Sequence, residues 1–391
     1  MKLLFINSAT KVFHDREGNY YINPHITNEG FRVYTHFCSS FKLLLRDCGE
    51  ISEEEKRKYE KFDKSIGQVI LYPNIYTAKS FLNVSVRNKL EKIIDDCVNW
   101  ADKIICGSQA GTVIDITCET CKRHRKPYMI YCLGFVWEGQ WYHSLKGKLV
   151  AYPREWSAKK RTKEAAYALY VTQKVCQERY PCNGKSLGCS DVEIGELDND
   201  IMSSHIKRLS TIRNRKIILG TSAALDVQLK GQSLMIKALA ILKKKGYDIE
   251  YRLLGLGEGR RLKKLSKKLG IEENVIFLGG CPHSEVFNFY ESIDIYVHPS
   301  YTEGLCRSII EAMSRACPVV CANVGGNREL IEHEYMFQRG NVDDLVCKIE
   351  KILDRDNLIK AAERNFEEVK VFCQENVRSQ RALFIKEYIN S

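Results

Sequence analysis

The chain has 391 residues, 44% of them hydrophobic and 28% charged, with a formal net charge of +11. That length exceeds what one hydrophobic core spans and predicts two domains. No apolar run approaches the roughly 18–20 residues needed to cross a bilayer, which excludes a helical integral membrane protein. The opening MKLLFINSAT is apolar only as far as Asn7, too short for the core of a signal peptide, and predicts a first β-strand. Basic clusters stand at Lys122–Lys126, Lys159–Lys163 and Arg260–Lys268. Each reads equally as a solvated helix face or as a surface for phosphate-bearing partners. Aromatic residues do not interleave with them as a nucleic-acid groove requires, so an anionic membrane surface is expected and nucleic acid is not. Among 16 cysteines, the close pair Cys118–Cys121 lacks the second pair or histidines of a zinc site. Reduced thiols in a cytoplasmic protein are expected.

In chain order, short apolar strands alternate with longer amphipathic helices. The first series of strands is predicted at Leu3–Ile6, Leu43–Leu45, Val69–Leu71, Ile104–Cys106, Tyr128–Cys132 and Leu169–Thr172. The second series is predicted at Lys216–Leu219, Glu250–Leu254, Val275–Leu278, Ile293–Val297 and Pro318–Cys321. Such alternation predicts parallel sheets covered by helices on both faces. A polar stretch, Pro181–Arg213, separates the series and places the boundary near Ser210. The expected domains are thus 1–209 and 210–374, with a helix over 375–391 crossing back to the first. The Asp198-Asn199-Asp200 triplet reads as a solvated loop within the polar stretch rather than a metal site. His14-Asp15-Arg16-Glu17 follows the first strand and is expected to open onto the cleft.

Ligands of doubly wound sheets bind beyond the carboxyl ends of the strands, so residues that follow strands matter most. After Ile293–Val297 comes His298-Pro299-Ser300-Tyr301-Thr302-Glu303-Gly304, then a helix from Arg307. Gly304 permits a tight turn. The amides of Leu305, Cys306 and Arg307 lie at a helix start that suits a phosphate. Glu311, further along, can accept hydrogen bonds from vicinal ribose hydroxyls, and Glu303 stands closer to a transferred sugar. His298 reads as a packed structural histidine.

Two glutamates at this spacing are weak evidence alone. Their context is Asp294–Ser300 before them, Glu311-Ala312-Met313, the strand opening Pro318-Val319-Val320, and the turn Gly325-Gly326-Asn327-Arg328-Glu329. Together these residues resemble glycosyltransferase family 4, and the resemblance covers most of Lys216–Leu353. It implies an α/β chain of GT-B fold, with two Rossmann-like doubly wound domains facing a central cleft. It also implies transfer from a nucleoside diphosphate sugar with retention and without metal or other cofactor. By the same resemblance Lys230 of Lys230-Gly231 meets the donor diphosphate. Thr221 stands where the family has a phosphate-binding arginine, and Arg307 is expected to supply the missing charge. Gly257, in Gly255–Gly259, is expected to shape the donor side of the cleft. Cys281 and Ser284, in Gly279–Glu285, are expected to lie against the nucleobase.

The first half departs from the family. Leu133-Gly134 stands where many members carry His-Gly, and Glu138 is the candidate substitute in catalysis, beside Glu303 and Lys230. The segments Lys126–His143 and Tyr167–Pro181 resemble members that act in capsule and O-antigen assembly. The resemblance and the charge together lead us to expect a UDP- or GDP-sugar donor and a lipid-linked glycan acceptor. The expected location is the cytoplasm, peripheral on the inner face of the plasma membrane. Alternatives are a nucleotide-sugar epimerase of the same architecture and a non-catalytic nucleotide-sugar-binding protein.

Overall fold

A computed structural model gives the architecture and describes residues 1–22, 27–75, 83–212 and 215–391. The first sheet contains β1 (Lys2–His14), β2 (Tyr20–Ile22), β3 (Ser40–Glu50), β4 (Glu60–Lys61), β5 (Gln68–Tyr72), β6 (Lys103–Cys106), β7 (Tyr128–Cys132), β8 (Tyr167–Tyr170) and β9 (Lys185–Gly188). Its parallel strands run in the order β5-β3-β1-β6-β7-β8-β9, and β2 and β4 add antiparallel pairings at one end. Period-two alternation sends Leu4, Ile6, Leu44 and Ile104 to one face and Leu3, Phe5, Leu43 and Ile105 to the other. Helices Val84–Trp100, Thr112–Arg123 and Leu145–Glu164 cover the first face, and Asn28–Thr35 and Gln374–Asn390 the second. Strands buried on both sides read as apolar runs, which is why they were visible in the sequence.

The second sheet contains β10 (Ile217–Ser222), β11 (Ile249–Leu254), β12 (Val275–Gly279), β13 (Ile295–His298), β14 (Val319–Ala322) and β15 (Met336–Phe337). All its pairings are parallel, in the order β12-β11-β10-β13-β14-β15. The order reverses between β10 and β13, and a crevice opens beyond their carboxyl ends at such a reversal. The strands missed by sequence reasoning are short (β2, β4, β15) or polar and exposed (β9), so they leave no apolar run.

Three expectations are corrected. First, the polar stretch holds β9 and a helix over Asn199–Ser210; its last residue, Arg213, lies outside the described residues. The Asp198 carboxylate caps that helix by accepting from the Asp200 amide at 2.9 Å, so the triplet is a helix start rather than a loop. Second, Val192, Ile194, Leu209 and Ile212 belong to the core of the second sheet, so the domain boundary falls upstream of Ser210. The two chain crossings lie side by side: the Ile194 amide donates to Phe372, and the Gln374 amide donates to Ile194, each at 3.0 Å. Third, β1 continues to His14 and turns into a hairpin with β2. The His14–Glu17 cluster is therefore a hairpin tip, where exposed Arg16 pairs with Glu50 at 2.7 Å.

The helix Asn199–Ser210 is tied to the second domain by one buried carboxylate. Asp294 is fully buried and accepts from Arg208 at 2.9 Å, from Arg215 at 2.6 and 2.8 Å, and from the Ile218 amide at 2.7 Å. Its removal leaves two guanidinium groups without their counter-charge. Asp294→Ala should lower the unfolding free energy by about 3–5 kcal/mol in urea denaturation.

Candidate active site

Two turns meet at the reversal between β10 and β13. The chain leaves β10 and reaches a single 3-10 turn, Gln228–Lys230, and leaves β13 through Pro299–Glu303. The carbonyl of Leu229 accepts from the Tyr301 amide at 2.8 Å and from the Ser300 hydroxyl at 3.2 Å, stitching the turns together. Gly231 has φ +68°, and a Cβ there would lie 1.9 Å from the Pro299 carbonyl oxygen. Glycine at this position is what allows the approach.

The approach brings the Lys230 ammonium to 2.7 Å from Oε1 of Glu303, while Nε2 of His298 lies 2.9 Å from the same oxygen. His298 is buried at the end of β13, with Nδ1 3.3 Å from the Tyr296 hydroxyl and Nε2 3.3 Å from the Cys306 sulfur. Burial alone would favour a neutral carboxyl on Glu303; His298 and Lys230 outweigh it and hold its pKa down at about 2. Burial alone would favour a neutral His298; Cys306 and Glu303 outweigh it and raise its pKa to about 9. Lys230 is raised too, Glu303 outweighing desolvation. The cluster thus holds an ionised carboxylate between the Lys230 ammonium and the His298 ring. His298, Glu303 and Cys306 each bring a ligand atom within 4.8 Å of the others, but the Lys230 ammonium already supplies a positive charge on that carboxylate.

A second arrangement stands one turn along the helix Arg307–Met313. Glu311 is buried, its Oε1 2.9 Å from Nε2 of His283 and its Oε2 accepting from the Tyr290 hydroxyl at 2.9 Å. Each carboxylate oxygen keeps a further lone pair for a ligand hydroxyl. His283, on the loop after β12, is largely exposed.

The first domain closes over these groups. A Cβ on Gly304 would lie 2.1 Å from the Leu133 carbonyl oxygen, and one on Gly326 would lie 2.9 Å from the Thr172 methyl carbon. Across the same seam the Glu329 carboxylate accepts from the amides of Gln173, Lys174 and Val175 at 2.6, 2.9 and 2.7 Å. A cavity of about 760 Å³ lies between Tyr34, Tyr131 and Leu133 of the first domain and His283 and Arg307 of the second, with Arg378 and Arg381 of the crossing helix. A second cavity, of about 330 Å³, brings Glu138 together with Thr302 and Gly325.

The group 1 glycosyl transferases match residues 204–369. Protein CapJ of Staphylococcus aureus is 30% identical over 369 residues, which is 92% of this chain and 87% of that protein. The chain belongs to the group 1 glycosyl transferases. Another relative, the O-antigen biosynthesis glycosyltransferase WbnH of Escherichia coli, is 37% identical over 120 residues, 29% of this chain and 34% of its own. Anabaena HepE, solved in complex with UDP, superposes with a TM-score of 0.65 over 99% of this chain and all of its own, at 18% identity. That superposition establishes the GT-B fold.

In this glycosyl transferase the structure brings Lys230 and Glu303 together and places Glu311 on the same wall of the cleft. Gly304 lies at the domain seam; Leu305 packs between the two cores; Cys306 is buried against His298. Arg307 faces the larger cavity rather than Lys230. Glu138 lines the smaller cavity, where one of its oxygens is buried without a hydrogen-bond partner. Cys281 is partly buried beside the second core and Ser284 is exposed, on either side of His283.

Two site expectations are corrected. Thr221 is fully buried, its hydroxyl donating to the Val297 carbonyl at 2.6 Å and accepting from Tyr251 at 2.7 Å, so it holds β10 to its neighbours and does not face a phosphate. Gly257 packs against Asp226, whose carboxylate takes the amides of Glu258 and Gly259 at 3.1 Å each. The loop's amides are thus spent on a protein carboxylate. Sequence reasoning missed His283 as a partner of Glu311 and read His298 as packing alone. The signal for both was position on the crevice side, His298 as the last residue of β13 and His283 in the loop after β12.

Protonated His298 stabilises the folded state below its ordinary pKa of 6.5, and that contribution is lost as pH rises through about 9. The melting-temperature gap between wild type and His298→Gln should therefore narrow from neutral pH to above 9, as differential scanning fluorimetry in matched buffers would show.

Proposed function

We propose that this glycosyl transferase moves a sugar from a UDP- or GDP-linked donor to a hydroxyl of a lipid-linked glycan, with retention and without metal. The pathway we assign is assembly of a surface polysaccharide of capsule, exopolysaccharide or O-antigen type, at the inner face of the plasma membrane. The observation that carries the reading is the pairing of Lys230 with Glu303 at the strand-order reversal, followed by Glu311 one turn into the next helix. Relatives such as WbnH support the polysaccharide assignment. Among the described residues no helix is long and apolar enough to cross a bilayer.

In this reading Glu311 accepts from the ribose hydroxyls, and His283 lies beside it near the base. The diphosphate draws Lys230 away from Glu303, whose carboxylate is then available to the hydroxyls of the sugar. The bond from the anomeric carbon to the diphosphate oxygen breaks as the acceptor oxygen bonds to that carbon from the same face. The acceptor proton passes to the departing phosphate oxygen. Lys230 offsets the charge that grows on the diphosphate, the kind of stabilisation that dominates such steps. Closure of the two domains excludes water and limits donor hydrolysis.

The test is a panel of UDP- and GDP-sugars followed for nucleotide release. Release that depends on acceptor supports transfer; an epimerised donor, or binding without turnover, replaces it with one of the alternatives. Lys230→Ala should lower kcat by about a hundred- to a thousandfold, with EDTA leaving the wild-type rate unchanged. Glu311→Ala should abolish the thermal shift given by UDP or GDP.

A further inference from the structure

The helix Leu145–Glu164 packs on the first domain through Ala151, Glu155, Ala158 and Thr162. Its opposite face carries Leu145, Leu149, Tyr152 and Trp156, which are 82%, 81%, 66% and 66% exposed. Their spacing places them in one stripe along the helix. A contiguous exposed stripe of large apolar side chains marks an interaction site. The charge around it is mostly positive. From Ser144 to Glu164 there are seven lysines and arginines and two acidic residues, Glu155, which is buried, and Glu164; Arg161 is buried, and Lys159 and Lys160 pair with Glu155 and Glu119. Lys146, Lys148, Lys159 and Lys163 are exposed. The Lys148 ammonium lies 5.3 Å from the Trp141 ring and that of Lys160 lies 5.6 Å from Trp156.

The stripe leads to the cleft. Tyr152 meets Trp137 and Trp141 edge-on at 5.9 and 6.3 Å, Trp137 meets Tyr142 at 6.4 Å, and Tyr142 crosses the domain seam to Tyr301 at 5.5 Å. Tyr301 stands two residues before Glu303. Aromatic and aliphatic side chains with lysines beside them suit the boundary between headgroups and acyl chains.

We propose that this face docks on an anionic lipid bilayer, with Leu145, Leu149, Tyr152 and Trp156 entering the headgroup boundary and the flanking lysines on anionic headgroups. Charge decides for a bilayer over a second copy of the chain, since two such faces would oppose like charges. The docking rests on the lipid-linked-acceptor reading only for its purpose, which is to set the cleft mouth on the leaflet that holds the acceptor.

The experiment is flotation of the full chain with vesicles of phosphatidylcholine alone or mixed with phosphatidylglycerol. The wild type should float with the mixed vesicles only. The double variants Leu149→Glu/Trp156→Glu and Lys146→Glu/Lys148→Glu should each lose about tenfold or more in vesicle affinity, with the melting temperature and the nucleotide-induced shift unchanged. A wild type that does not float, or variants that float like it, overturns the docking face. So does a wild-type dimer in sedimentation that Leu149→Glu/Trp156→Glu renders monomeric. A wild type that floats through this face yet glycosylates only water-soluble glycans supports the docking face and overturns the lipid-linked acceptor instead.

Discussion

A carboxylate held between two cations organises the cleft of this protein. The Glu303 side chain is only 12% exposed, and a carboxylate withdrawn from water without a partner is costly. His298 and Lys230 offset that cost, and in doing so they bind three chain segments to one point: the end of β13, the turn after it, and the turn after β10. The neighbouring features follow from that requirement. Gly231 has to be glycine so that the Lys230 turn can approach, and Cys306 and Tyr296 fill the space around His298. The Lys230 ammonium stays partly exposed in the crevice, and a cation there attracts phosphate-bearing ligands.

Much of the second domain was legible in the sequence because its chemistry lies in contiguous segments. Glu303-Gly304, Glu311 and Lys230-Gly231 each follow a strand, and strand ends at the reversal of strand order converge in space. The contributions of His283 and His298 were less legible. A histidine after a strand has the same local signature whether it packs or touches a carboxylate, and only the fold brings His283 from the β12 loop to Glu311. Thr221 and Gly257 failed for a related reason. Their positions were right for a ligand, but Tyr251 and Asp226, distant in sequence, had taken the hydrogen-bonding groups already.

The first domain was less legible for a different physical reason. Its strands β1 and β3 continue past their apolar runs because a hairpin pairs with the extension, and pairing leaves no compositional trace. The helix Asn199–Ser210 was hidden by its polar surroundings; His205 and Leu209 are buried, Met202 and Ile206 pack partly buried on the core, and Arg208 ties it to Asp294. The domain boundary was misplaced accordingly.

The carboxylate of Glu329 reaches three successive amides of the other domain, two of those bonds being exposed to solvent. Water competes for both partners, so each bond contributes only about 1.5–3 kcal/mol at most to holding the halves together. Three amides in a row nevertheless accept a carboxylate in a narrow range of directions. The clasp therefore behaves as a keyway more than a lock: it contributes little to holding the two halves together but sets the angle at which they meet.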